Sequence, residues 1–149
     1  MALIWTGTTM VSGVRTSAAA VLFSMVAPGV AFADPCEGAL PSRQGETFSG
    51  TVRYVGDGDG LCVGTSSDPA TWIEVRLADF DAPELRDHLG LRSRDYLVTI
   101  AHGREVTCTA VRGRSGRVRS YDRVIATCLL NGRRLGDLLR DAGAPSGGR

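Results

Sequence analysis

From Phe48 the chain alternates, with Phe48, Val52 and Tyr54 separated by polar or small residues as far as Val55. A period of two predicts a half-buried β-strand. Gly56-Asp57-Gly58-Asp59-Gly60 interrupts it as a turn, and Leu61–Gly64 reads as a second, short strand. A loop at Thr65–Ala70, containing Ser66-Ser67-Asp68-Pro69, leads to a third run at 72–77. There Ile73, Val75 and Leu77 share one face, and Glu74 and Arg76 share the other. After Pro83 the period changes. Leu89, Tyr96, Leu97, Ile100 and Ala101 form a helical stripe that Gly103 ends, with Gly90 weakening its first turn. Alternation returns at Val106, Cys108 and Ala110, and again at Val124, Ala126, Cys128 and Leu130. Residues 133–142 predict a short last helix, with Leu135, Leu138 and Leu139 on one side and Gly143 as the stop.

Three strands, a helix, two strands and a helix within about 100 residues predict one small domain. The fold class expected is mainly β with helices (β+α). A five-stranded barrel of the OB type capped by two to three helices is the economical arrangement, because closure removes exposed strand edges. The domain spans residues 47–144. Residues 34–46 are polar and irregular, and 145–149 are expected to be a disordered tail.

Composition narrows the classes. The chain has 149 residues, 43% hydrophobic and 22% charged, which excludes wholesale disorder and a multi-span membrane protein. The formal charge of +1 excludes an indiscriminate polyanion binder. Recognition of an anion must therefore rest on the placement of individual arginines.

Residues 1–33 differ from the rest. Arg15 is their only charge, an apolar run follows at Ala18–Ala27, and Ala31-Phe32-Ala33 precedes Asp34. That order predicts a secretory signal peptide cut after Ala33. The competing reading is an N-terminal anchor helix, but Pro28 and Gly29 break the run short of the ~20 residues a span needs. No twin arginine precedes the run, so general export is expected, with a secreted or periplasmic, membrane-free product. The mature chain would hold 116 residues and be formally neutral.

Cys36, Cys62, Cys108 and Cys128 all fall in that mature part, with no C-x-x-C pair to suggest structural zinc. An even number of cysteines in an exported chain favours disulfides. Of three possible pairings, Cys108–Cys128 is preferred because both lie in successive strand-like runs, which leaves Cys36–Cys62.

Three clusters carry candidate chemistry. Asp57-Gly58-Asp59 offers two hard carboxylates on a glycine-rich turn, suited to Ca²⁺ or Mg²⁺ or to a plain hairpin. Val75-Arg76-Leu77-Ala78-Asp79-Phe80-Asp81-Ala82-Pro83-Glu84 sets a strand arginine before a turn holding two acids, which also suits a salt bridge followed by a helix cap. Tyr121-Asp122-Arg123 starts the last strand, where an arginine reaches phosphate and a tyrosine stacks on a base. The arginines at 112, 114, 117 and 119 read first as a solvated loop, although such a loop attracts a phosphate backbone. Taken together, acids for a hard metal, a further acid and two arginines are what phosphodiester hydrolysis requires.

In these stretches the sequence resembles the staphylococcal nuclease (thermonuclease-like) family. The likeness runs through Val55–Asp59, Val75–Glu84, Tyr121–Ala126 and Asn131–Gly143, in the family's order, over about residues 47–144. It implies a monomeric OB-fold, Ca²⁺-dependent endonuclease acting on DNA and RNA and leaving 3′-phosphates. By that resemblance Asp59, Asp81 and the Ala82 backbone carbonyl would bind Ca²⁺. Arg76 and Arg123 would hold phosphate, Glu84 would act as general base or position water, and Tyr121 would contact the nucleotide. Gly60 stands where a hydroxyl residue usually follows the second aspartate, and Asp122 where glycine is common. The alternative is a catalytically weak or inactive OB module that binds nucleic acid or a protein partner.

Overall fold

The computed structural model describes Leu3 and residues 34–147. The expected signal segment, Leu3 apart, and the final two residues lie outside the described residues.

Among the described residues seven strands and two helices follow one another: β1 (Thr47–Val55), β2 (Gly60–Gly64), β3 (Ile73–Leu77), α1 (Gly90–Ala101), β4 (Glu105–Ala110), β5 (Arg119–Ser120), β6 (Arg123–Leu130), β7 (Arg133–Arg134) and α2 (Leu135–Asp141). One 3-10 turn, Pro69–Thr71, lies between β2 and β3, capped by the Asp68 side chain. The sheet runs β3-β2-β1-β4-β6, and a parallel pairing of β3 with β6, Val75 to Val124 through Leu77 to Ala126, closes it. The result is a closed five-stranded mixed barrel with two helices, consistent with an OB fold. Of the residues expected to alternate inward, Val52, Val75, Val106, Val124 and Cys128 are buried, joined by Leu97 of α1 and Leu135 and Leu139 of α2. A bulge between Val52 and Tyr54 leaves Tyr54 half-buried and turns Val55 into the core instead.

Strand β2 is buried along its whole length because both its faces are covered. Leu61 and Val63 enter the core. Cys62 is bridged to Cys36 of the lead-in, and a Cβ on Gly64 would stand 2.1 Å from Cδ1 of Trp72. The irregular lead-in is tied down further by Glu37 N–H donating to Pro69 O and Gly38 N–H to Trp72 O. Cys108 and Cys128 are direct cross-strand partners on β4 and β6, with Cα atoms 4.0 Å apart, and form the second disulfide.

The last helix begins two residues later than its hydrophobic stripe suggests. Asn131 and Gly132 both take left-handed φ, 51° and 78°, which makes a tight turn and folds Arg133–Arg134 back onto β6 as β7. The tail expected to be disordered from Pro145 is instead held as far as Gly147. The Ser93 hydroxyl donates to Pro145 O at 2.9 Å, and Gly147 N–H donates to Asp81 O at 3.0 Å.

Candidate active site

Close backbone approach assembles the site. In the turn before β2, a Cβ on Gly58 would lie 2.5 Å from the Ala82 Cβ and 2.3 Å from the Ser93 Oγ. Only glycine lets this turn sit against both α1 and the 81–84 loop. Asp59 is thereby brought to Ala82, whose N–H donates to Asp59 Oδ2 at 2.9 Å. Backbone bonding locks the same corner to β3, because Leu77 N–H donates to Asp59 O at 2.8 Å.

Arg76 leaves β3 on the outer face of the barrel and joins the two acids. Its Nη2 lies 3.3 Å from Asp59 Oδ2 and donates to Asp81 Oδ1 at 3.1 Å. Arg114, from the arginine-rich loop, donates to the other Asp81 oxygen at 2.8 Å. The last three members of this acid, arginine, acid, arginine series help to line a cavity of about 310 Å³, together with Ser120 and Ile125.

Asp59 is 3% exposed. Burial pushes its carboxyl up to about 6; the Ala82 N–H opposes this, the Asp57 carboxylate adds to it, and Arg76 opposes it. The Arg76 guanidinium, although burial works against its charge, is held above its ordinary value by Asp59 and Asp81. One buried carboxylate, Asp59, and one half-exposed carboxylate, Asp81, flank a single cationic nitrogen, and their hard oxygens suit a Ca²⁺-like ion. Among the described residues no three acidic, histidine or cysteine side chains form a metal cage. A cation here would draw on Asp59, Asp81, backbone oxygen and water.

The other expected residues fall nearby in different ways. Arg123 shares the outer face with Arg76, since Arg76 is in register with Ile125 on β6. It stands two residues earlier, about 7 Å along the strand, where its charge bears on Glu74. Glu84 lies three residues beyond Asp81 in a turn closed by two bonds. Its N–H donates to Asp87 Oδ2 at 3.2 Å, and Asp87 N–H donates to Glu84 O at 2.8 Å. Tyr121 forms the tip of the β5–β6 hairpin with φ 57° and is 95% exposed.

Gly90 holds that Glu84 turn in place, for a Cβ on it would come 2.0 Å from Glu84 O. Gly90→Ala is therefore expected to displace the turn and to cost ~1–3 kcal/mol of stability. A thermal melt that matches the wild type would remove this account of the glycine.

Two participants escaped the sequence reading. Arg114 looked like a solvated loop residue, and no local pattern ties it to Asp81, 33 positions away. Glu74 was visible only as an outward neighbour of Arg76, yet it is 7% exposed. Burial pushes its carboxyl up to about 7, the charges of Asp122 and Asp34 and a hydrogen bond with Asp34 raise it further, and Arg123 opposes them.

This has a signed consequence for stability. Glu74 and Asp59 both bind protons more tightly folded than unfolded, so stability falls as pH rises from about 4.5 towards 7. Glu46 and Asp137, lowered by Arg43 and Arg140, act the other way only below that window and from exposed positions. The Glu74 contribution is ~2 kcal/mol once solvent screening is allowed for. Melting temperature is therefore expected to drop by roughly 8 °C between pH 5 and pH 8. Glu74→Gln should remove most of that slope, and an unchanged slope in the variant would show that the group titrates normally.

The fold and this cluster define a disulfide-bridged, OB-like β-barrel carrying on its outer face an acid–arginine network anchored by the buried Asp59. No family model matches the chain, and no curated protein sequence matches it.

Proposed function

We propose that the protein is an exported, Ca²⁺-dependent nuclease of the staphylococcal nuclease type that hydrolyses phosphodiester bonds in DNA and RNA. The observation that carries this reading is the convergence of Asp59 and Asp81, from separate turns, on one nitrogen of Arg76. Two disulfides suit an extracellular or periplasmic protein.

In this reading Asp59, Asp81 and the Ala82 carbonyl would hold Ca²⁺, which would supply Lewis-acid polarisation of a phosphoryl oxygen. Arg76 turns from its carboxylates to the phosphate and balances the charge that grows on its equatorial oxygens. Arg123 meets the same phosphate from β6. Glu84 accepts a hydrogen bond from the attacking water and orients it. Tyr121, with its ring in solvent, offers a face on which a base stacks. The family resemblance assigns 3′-phosphates to the products.

One feature favours a binding module without catalysis: Arg76 and Arg114 already satisfy both oxygens of Asp81. A fluorogenic digestion of DNA and RNA by the oxidised protein decides between the two. Cleavage that rises with Ca²⁺, stops with chelator and returns on adding Ca²⁺ is the expected result. Binding without cleavage at every Ca²⁺ concentration would leave only the module.

A further inference from the structure

On the far side of the arginine-rich loop lies a second cavity, of about 600 Å³. The lead-in contributes Arg43 and Gln44 to its wall, and the loop contributes Arg112, Arg117 and Arg119. Neutral groups fix two of these arginines. Arg112 Nε donates to Gln44 Oε1 at 3.0 Å, and its Nη1 donates to Gly116 O at 2.7 Å. Arg119 Nε donates to Pro41 O at 2.8 Å, and its Nη2 donates to Leu40 O.

A guanidinium held by carbonyls keeps its whole charge. It is also oriented before any ligand arrives, which lowers the entropy lost on binding. Arg43 alone in this wall meets a carboxylate, with its Nε 2.8 Å from Glu46 Oε1. Arg112, Arg117 and Arg119 form no ion pair among the described residues, whereas Arg114 is bound to Asp81. A chain with a formal charge of only +1 has thus gathered unpaired cations in one place.

One narrow ribbon of the loop supplies wall residues to both cavities. Gly113 N–H donates to Arg117 O at 2.8 Å, and Gly116 N–H donates to Gly113 O at 2.9 Å. Two hydrogen-bonded chains measure about 5 Å across. Gly113, Arg114 and Ser115 border the Arg76 cavity, and Arg112, Gly116 and Arg117 border the second. A strand with one phosphate at Arg76 would have to cross this ribbon to bring flanking phosphates to Arg112 and Arg119.

We infer that the Arg112–Arg117–Arg119 surface is a flanking-phosphate subsite for the backbone of a polynucleotide strand. The assignment rests on the nuclease reading for the position of the scissile phosphate. Its consequence is a preference for long strands over dinucleotides, set by backbone charge and indifferent to base sequence.

The test uses the oxidised protein, a fluorescein-labelled 14-nucleotide single strand and a labelled dinucleotide. Binding is read by anisotropy with chelator between 25 and 200 mM salt, and cleavage is read with Ca²⁺. R112Q/R117Q is expected to weaken 14-mer binding about tenfold and to flatten its log–log salt slope by about 1.4, near 0.7 for each lost contact. Dinucleotide binding and cleavage should not change. R117E, at an exposed position, should act in the same direction and serves if Arg112 proves necessary for folding. Unchanged 14-mer affinity and slope in both variants would overturn the subsite, as would equal KM for the 14-mer and the dinucleotide. Wild-type protein that binds the 14-mer with the variant-sensitive slope yet cleaves nothing would keep the surface and remove the nuclease reading.

Discussion

Arg76→Ala is expected to lower phosphodiester hydrolysis by ~10²–10³, and Arg123→Ala and Glu84→Gln by similar factors. That range is the loss seen when one preorganised transition-state contact is removed. The three differ in what else they disturb, and this separates chemistry from folding. Arg76 is the cation beside the buried Asp59, so its removal leaves that carboxylate facing Asp57 with only the Ala82 N–H to offset it and should lower the melting temperature as well. Arg123 favours the ionised form of Glu74, so its loss should raise that group further and deepen the fall of stability with pH. Glu84→Gln keeps shape and removes only charge. Its backbone bonds with Asp87 survive. Rates measured well below each variant's melting point, with Ca²⁺ saturating, isolate the catalytic term. If all three variants keep near-full turnover, the acid–arginine network is a structural brace and the proposed mechanism falls.

How much of this was legible in the sequence depends on the range of the interaction. Alternation over Ile73–Leu77 places Arg76 outside the barrel and Val75 inside it, because strand period is a local property. The same logic pairs Cys108 with Cys128, since both point inward from neighbouring strands. Strand β5 was not legible. Two residues at the end of an arginine-rich loop carry no period, and only the turn at Tyr121 and Asp122 lays them against β6. The Arg114–Asp81 pair and the Asp34–Glu74 contact are set by closure of the barrel, which no window of neighbouring residues encodes. Gly90 was read as a weakness of α1. It is instead the point where the helix start meets the Glu84 carbonyl, a tertiary reason that helix propensity does not contain. The site therefore showed its residue types early, whereas its connections appeared only with the fold.

Reduction of both disulfides is expected to unfold the domain at 37 °C, and each bridge should contribute in its own way. Chain-entropy arithmetic for separations of 26 and 20 residues gives about 3.5 kcal/mol for Cys36–Cys62 and about 3.3 kcal/mol for Cys108–Cys128. A domain of this size has roughly 5–15 kcal/mol in all, so losing both, about 7 kcal/mol together, removes from nearly half to all of it. The Cys108–Cys128 bridge ties β4 to β6 inside the core, and C108A/C128A should destabilise the whole barrel cooperatively. The Cys36–Cys62 bridge holds the lead-in, whose Leu40 and Pro41 carbonyls orient Arg119 and whose Gln44 orients Arg112. C36S/C62S should therefore lower stability and also release the second arginine surface, weakening long-strand binding while leaving dinucleotide cleavage in place. Denaturant unfolding of the oxidised, reduced and two double-variant proteins reads the energies, and anisotropy with the 14-mer reads the surface. If C36S/C62S binds the 14-mer as the wild type does, the arginines are held by the loop alone. The lead-in would then stabilise the fold without shaping the binding surface.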